Sequence, residues 1–310
     1  MPRTRDVVLA DKFVTKTHSN PTPALDPSNN KFTKPLTVCI VGASRGIGAG
    51  IAHAYAQANV SNLILVARSS SSRELAAVEK RAQELGPSVN IKSLYADITS
   101  SSSVKELASA VEQEFGHLDI LVLNSGWSGP VVLKIEDGDP QDFQNVFDVN
   151  VQGTYLVAHY FIPLLRKSNG EKTFFVVSSF ATCINSGHIA NTAYCVSKFA
   201  QARIVEFLSE QYGKEDILTV AVHPGAVNTE MADKTTPDSF RPCKCSSQYL
   251  TDDVGLCGAF LVWMNQEKRS WMNGRLVSAT WDVDELLSKR ETIEEKDLLK
   301  FGFRVEENVR

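Results

Sequence analysis

The chain has no apolar run approaching the roughly 18 residues that a membrane-spanning helix needs, and Met1 to Asn30 lacks the apolar core of a secretory signal. It has no excess of positive charge either. A formal net charge of −4 gives no electrostatic case for a nucleic acid or an anionic membrane as partner. Cysteine is sparse: the six residues Cys39, Cys183, Cys195, Cys243, Cys245 and Cys257 are too scattered for a disulfide framework. Cys243 and Cys245 form the one close pair, without the second pair or neighbouring histidines that a zinc site requires, so no metal is expected. No internal repeat of solenoid period is present. What remains, 43% hydrophobic and 22% charged over 310 residues, is globular composition with ample material for a core. A reducing, cytoplasmic setting suits it.

Residues 1 to 35 are rich in turn formers (Asn20, Pro21, Pro23, Pro27, Asn29, Asn30) and lack periodicity. They predict an extended arm that either lies on the body or is partly disordered, with no chemistry assigned to it. Leu36 to Val41 then reads as a strand buried on both faces, the signature of a parallel sheet. Gly42-Ala43-Ser44-Arg45-Gly46-Ile47-Gly48 follows, and Ile51, Ala52, Tyr55 and Ala56 continue at helical spacing. A strand, a glycine turn and a helix N-terminus in that order predict an anion site for a pyrophosphate. The second strand, Leu63 to Ala67, ends at Arg68-Ser69. In dinucleotide folds an arginine at that tip suits a 2′-phosphate, whereas an acid suits the free hydroxyl. Arg45 and Arg68 together therefore point to NADP(H) rather than NAD(H).

A helix over Ser72 to Leu85 and a strand over Val89 to Tyr95 lead to Asp97-Ile98. Asp97 either accepts from the adenine amino group or caps the helix that begins near Ser100. The fourth strand, Leu118 to Leu123, ends at Asn124-Ser125-Gly126. The βαβαβαβ succession predicts a right-handed, doubly wound parallel sheet. A long helix is expected over Val146 to Arg166, with Asn150 inside it either solvated or bonded to backbone or water. The fifth strand, Lys172 to Val177, ends at Ser178-Ser179. Tyr194 and Lys198 then stand at i and i+4 of a helix, on one face. A cation so placed favours the phenolate and draws the phenol's pKa down from about 10. The sixth strand, Leu218 to Val222, ends at His223-Pro224-Gly225. A loop over 229–250, a helix over Asp252 to Met264, a seventh strand over Arg275 to Ala279 and a charged tail over 282–310 complete the chain.

The glycine turn, Asn124 to Gly126, Asn150, Ser178-Ser179, Tyr194 to Lys198 and Pro224 to Thr229 together resemble the short-chain dehydrogenase/reductase family, in its compact single-domain branch, over residues 36–281. The resemblance implies a Rossmann-type doubly wound parallel sheet of about seven strands with helices on both faces. It implies that Tyr194 is the acid in reduction and the base in oxidation, and that Lys198 lowers its pKa and holds the nicotinamide ribose. Ser179, with Ser178 as the alternative, would hold the substrate oxygen, and Asn150 a water leading from Lys198 to solvent. Cofactor contacts are assigned to Gly42, Ser44, Arg45, Gly46, Ile47, Gly48, Arg68, Ser69, Asp97, Ile98, Asn124, Gly126, Tyr194, Lys198, Pro224, Gly225, Val227 and Thr229. Family members are commonly dimers or tetramers, so a homodimer or homotetramer is expected, acting on a small carbonyl or alcohol substrate.

Four positions depart from the family pattern. Val41 replaces a threonine before the first glycine, and Leu123-Asn124-Ser125-Gly126 replaces Asn-Asn-Ala-Gly. The segment from Ser179 to Tyr194 is about two residues longer than is usual, and Trp281-Asp282-Val283-Asp284 stands where glycines are common. The arm and tail resemble those of fungal members, often found in natural-product pathways. Trp127, Phe180, Cys183, His188 and the loop from Glu230 to Tyr249 suggest a medium or bulky apolar ketone or alcohol. Trp127 and Phe180 have ordinary core packing as the alternative. Rival readings are a cofactor-binding scaffold without turnover, or imine reduction, isomerisation or cyclisation on the same fold.

Overall fold

Val38 to Val41 and Leu63 to Val66 are fully buried apolar pairs in register, Val38 opposite Leu63 and Val41 opposite Val66. Strands of this kind need cover on both faces, and helices supply it. The computed structural model describes residues 9–187, 190–235 and 250–302. Its centre is one parallel sheet of seven strands in the order β3-β2-β1-β4-β5-β6-β7. These are β1 (Thr37–Val41), β2 (Asn62–Ala67), β3 (Asn90–Tyr95), β4 (Ile120–Leu123), β5 (Thr173–Val177), β6 (Leu218–His223) and β7 (Leu276–Ser278). The helices between them are α1 (Gly46–Gln57), α2 (Ser72–Leu85), α3 (Ser101–Phe115), α4 (Pro140–Phe147), α5 (Gly153–Arg166), α6 (Thr192–Tyr212), α7 (Glu230–Thr235) and α8 (Leu256–Met264), with α9 (Val283–Ser288) and α10 (Arg290–Glu295) after β7.

The strand order reverses between β1 and β4. The chain leaves β1 towards one edge and later returns to add β4 on its other side, which opens a crevice beyond the carboxyl ends of the central strands. Residues at those ends are therefore gathered by topology, however far apart they lie in sequence. α8 is buried on every side and crosses α1 closely: a methyl on Gly258 would meet the Gly50 carbonyl and the Ala54 side chain. The tight crossing fixes α1, and with it the glycine turn at its start.

The long helix expected over Val146 to Arg166 is two helices joined by one π-type turn. α4 begins at Pro140, with Asp139 accepting from Gln141 N (2.8 Å). Asp148–Gln152 winds as the π segment, and α5 continues to Arg166. The early start was signalled by Asp139-Pro140 and by Phe143, Val146 and Phe147 at i, i+3 and i+4, a pattern of which the expected helix took only the end. The insertion of a wider turn shifts the face on which Asn150 stands, and π-turns of this kind are frequent at functional sites. Capping also differs from one of the two expectations for Asp97. Ser100 is the cap of α3, accepting from Ser103 N, while Asp97 holds the backbone and hydroxyl of Thr99 (2.9 and 2.7 Å).

From Phe13 onward the arm is packed against the body. Val14 and Leu25 are buried, Phe13 lies 5.1 Å from the Trp281 ring, and Thr17 pairs with Trp281 as an antiparallel bridge. His18 Nε2 meets Asp282 Oδ2 at 2.8 Å, and the Thr15 amide and hydroxyl donate to Glu285. The Trp281-to-Asp284 segment is thus the dock for the arm. Among the described residues no helix is long and apolar enough to cross a membrane.

Candidate active site

The crevice at the strand reversal is a cleft of about 690 Å³. One end is made by the turn between β1 and α1. Gly42 and Gly46 have φ of +95° and +53°, which other L-residues rarely adopt. A methyl on Gly48 would collide with the Gly42 carbonyl oxygen, and one on Gly42 with Ser125. Asn124 completes the support, its Nδ2 donating to Gly42 O at 2.8 Å. The departure at Leu123-Asn124-Ser125 therefore keeps a strut between β4 and the glycine turn. α1 begins at Gly46 with no side-chain cap, so its first amides are left for a ligand, and the dipole favours an anion there.

Arg45 and Arg68 both line this end and both are exposed. Arg45 Nη1 pairs with Glu230 Oε2 at 2.8 Å. Asp97, Ile98 and Thr99 line the adjoining wall, and Ser71 rather than Ser69 faces the cleft after β2. Ser71 was missed because a short 3-10 turn over Ser69–Ser71 separates β2 from α2, and nothing in a run of four serines marks which one turns inward. Beyond β6, Pro224 and Thr229 line the cleft. Gly225 and Val227 lie behind them, buried against Asp252, which accepts from Ala226 N at 2.6 Å.

At the other end α6 presents Tyr194 and Lys198. Lys198 is 3% exposed, and its Nζ donates to Val177 O (3.1 Å) and Gln201 Oε1 (2.9 Å). An ammonium has three donors, so one remains for the cleft that Lys198 lines. Nζ also lies 5.7 Å from the Tyr194 ring centre and close to the backbone of Gly126, where a methyl would stand 3.4 Å from it. Burial lowers the Lys198 pKa to about 7. Burial also raises that of Tyr194 to about 12, against a smaller lowering by the Ser179 side chain. The phenol's pKa therefore moves up, not down as expected: enclosure disfavours the phenolate and the ammonium alike, and the one lowering influence is Ser179 rather than Lys198.

Ser179 is the serine that faces Tyr194. Its Oγ also accepts from Ala181 N at 3.0 Å, which fixes the turn it begins. Ser178 Oγ, in contrast, is buried with no hydrogen-bond partner among the described residues, although Ser178 lines the cleft. Asn150 is fully buried on the π segment. Its Oδ1 accepts from Trp127 N (2.9 Å), and its Nδ2 donates to Trp127 O (2.7 Å) and Ser197 Oγ (2.9 Å). The carboxamide so ties the strand-end loop carrying Gly126 and Trp127 to α6.

The residues considered for the substrate side separate. Trp127 is 40% exposed and lines the cleft. Phe180 is core: it stacks on His223 at 4.2 Å and stands 6.1 Å from Trp281, while its amide donates to His223 Nδ1 (3.3 Å). Burial lowers the His223 pKa to about 4, so the ring is the neutral acceptor this bond needs. Asn145, Asp148 and Val149 join Trp127 in the wall, brought there by the π segment. His188, Cys243, Cys245 and most of the loop from Glu230 to Tyr249 lie outside the described residues. Among those described, no group of three or more histidine, cysteine or acidic side chains is placed to hold a metal.

The sequence matches the family model described as short chain dehydrogenase over residues 36–239. It is similar to the short chain dehydrogenase pgmD of Aspergillus terreus, at 38% identity over 94% of both chains. The short chain dehydrogenase mpl6 of Monascus purpureus is 36% identical, over 93% of this chain and 95% of its own. In fold the protein is similar to a 7α-hydroxysteroid dehydrogenase solved with NADH and 7-oxo glycochenodeoxycholic acid, with a TM-score of 0.67 and 23% identity over 81% of this chain and 94% of that one. It is likewise similar to the NADP complex of Pseudomonas aeruginosa RhlG, with a TM-score of 0.68 and 20% identity over 80% and 96%.

Proposed function

Since the chain belongs to the short-chain dehydrogenase/reductase family of oxidoreductases, we propose that it is an NADP(H)-dependent carbonyl reductase acting on a medium or bulky apolar ketone. One observation carries this reading. Tyr194, Lys198 and Ser178 line one end of a cleft, with Ser179 beside Tyr194, and the other end holds a glycine turn with uncapped helix amides and two arginines. The family binds nicotinamide cofactors, and the residues here fit one. The bare amides of α1 suit a pyrophosphate. Arg45 and Arg68 suit a 2′-phosphate, for which guanidinium forks are well matched. The unpartnered Ser178 hydroxyl and the spare N–H of Lys198 suit the polar groups of the nicotinamide end.

A bound nicotinamide would supply the hydride. The protein's own part is the proton and the geometry. Tyr194, protonated at neutral pH, donates to the carbonyl oxygen as it gains charge, a step for which a positioned acid contributes about 10²–10⁴-fold. Ser179, held by Ala181 N, shares the same oxygen. Charged Lys198 stabilises the negative charge that appears on the phenol oxygen as its proton leaves.

Trp127 and Val149 in the wall support an apolar substrate, and the fungal relatives support a role in natural-product metabolism. Residues 36–281 are read as one catalytic domain, with the arm and the tail as accessories, in the cytoplasm. The exposed Tyr155 on α5 and Phe199 and Phe207 on α6 support association into a homodimer or homotetramer.

Fluorescence titration with NADPH and NADH, followed by a ketone panel read by loss of NADPH absorbance, tests the reading. Tighter binding of NADPH with turnover of bulky apolar ketones is expected. Equal affinity for both cofactors would count against the arginine assignment, and binding without turnover would favour a scaffold.

A further inference from the structure

One buried polar residue, Gln201, stands directly beside Lys198. Gln201 is 0% exposed and stands one turn beyond Lys198 and two beyond Tyr194, on the same face of α6. A carboxamide is costly to bury unless it is bonded, and this one is bonded on both sides. Its Oε1 accepts from Lys198 Nζ at 2.9 Å and its Nε2 donates to Thr154 Oγ1 at 2.8 Å. Thr154, itself 0% exposed, donates its hydroxyl to Asn150 O at 2.7 Å.

The direction of this chain is fixed. A backbone carbonyl only accepts, so the Thr154 hydrogen must point at Asn150. Its lone pair then takes Gln201 Nε2, which leaves Oε1 to face Lys198. The carboxamide cannot flip without placing two donors against the ammonium. From this geometry we infer that Gln201 is a positioning residue: it supplies the side-chain acceptor that keeps Lys198 charged and aimed into the cleft, anchored through Thr154 to the π segment that carries Asn150.

The surroundings of Lys198 leave that task to Gln201. From the end of β5 it receives one carbonyl, Val177 O. From the loop after β4 it meets Gly126, which has no side chain, and Asn150 on the π segment is taken up by Trp127 and Ser197. The titratable group beside it on α6 is Tyr194. Arg45, Arg68, Asp97, Asp148 and Glu230 share the cleft, but none of the acids forms an ion pair with Lys198. A buried ammonium with no carboxylate depends on neutral acceptors for its charge, and among the described residues the one side-chain acceptor is Gln201. Burial already brings Lys198 to about 7, so a modest change in that acceptor moves its charge across the physiological range.

The test reads Lys198 directly in the ligand-free protein. With ¹³Cε-labelled lysine, its resonance is assigned by its loss in Lys198→Met and followed against pH in the wild type, Gln201→Leu and Gln201→Glu. Loss of the acceptor in Gln201→Leu should move the titration to lower pH by about one unit or more. A carboxylate in Gln201→Glu should move it to higher pH by about one to three units. If Gln201→Leu does not fold, Gln201→Met, of similar length, takes its place with the same expected sign. A titration at one pH in all variants overturns the inference, as do shifts of the same sign in both, which a loosened core would produce. The inference rests on the proposed function only in its kinetic arm. There the alkaline limb of kcat/KM should move in the same two directions, with kcat falling about tenfold in Gln201→Leu and KM for the ketone little changed. A wild-type protein that reduces no ketone would remove the proposed function, while the lysine titration would still decide the role of Gln201.

Discussion

Tyr194 and Lys198 lie in an environment that disfavours charge on both, and much of the chemistry follows from that. Tyr194 at about 12 holds its proton at any ordinary working pH, so its removal is what turnover should feel most. Tyr194→Phe is expected to lose about 10²–10⁴-fold in kcat while its NADPH titration stays near that of the wild type. Undiminished turnover would remove the acid role. Lys198 has a folded-state pKa of about 7 against an ordinary 10.5, so its charge is present below about pH 7 and fades above it. If that charge supports proton donation by Tyr194, kcat/KM for reduction is flat on the acid side of 7 and falls towards tenfold per unit on the alkaline side. A pH profile under single-substrate saturation checks the sign.

The same two residues mark what the sequence made legible at this scale. Their i and i+4 spacing was plain, as was the Ser178-Ser179 pair at a strand end, and the structure brings them together. The sign of the tyrosine shift was not, because desolvation depends on how closely β5, the π segment and the loop after β4 enclose the site. Gln201 had a sequence signal, a polar residue at i+3 from Lys198 on a face otherwise buried. Its partner Thr154 sits on another helix, and no spacing rule connects them.

Among the elements, the glycine turn carries the most constrained backbone. Gly48→Ala would drive a methyl into the Gly42 carbonyl; displacement of the turn should lower cofactor affinity by an order of magnitude or more, at about 1–3 kcal/mol of strain. Isothermal titration with NADPH measures it, and wild-type affinity would mean the turn can yield. Arg68→Asp at the tip of β2 should move preference from NADPH towards NADH, since a carboxylate accepts from a ribose hydroxyl and repels a phosphate. An unchanged ratio of the two affinities would argue against the 2′-phosphate reading. These elements were readable because a strand, a glycine turn and a helix are consecutive in the chain. The π segment was not, as its local sequence looks helical and only packing against Trp127 and Ser197 requires the wider turn. Phe180 lies between the two cases: an aromatic beside a serine pair at a strand end suggests a substrate contact, yet His223 and Trp281 claim both sides of it.

At the scale of the whole molecule, the arm and tail are joined to the body through Trp281, 1% exposed and flanked by Phe13 and Phe180. Truncation there leaves a large cavity, so Trp281→Ala is expected to cost about 3–5 kcal/mol, seen as a lower midpoint in denaturant without a change of slope. The doubly wound parallel sheet followed from the alternation of apolar strands and amphipathic helices, and its strand order came only with the structure. The docking of the arm was likewise not legible in the sequence, since its contacts join residues 13–18 to residues 280–285 across the length of the chain. The cleft that this architecture opens is proposed to pass a hydride from the nicotinamide to a ketone. Supplying NADPH deuterated at the transferring C4 position, together with a bulky apolar ketone, and locating the label by mass spectrometry tests that transfer. Deuterium is expected on the carbinol carbon of the product alcohol with the wild type, and little product with Tyr194→Phe. NADPH that binds yet delivers no label to any ketone offered would contradict the transfer.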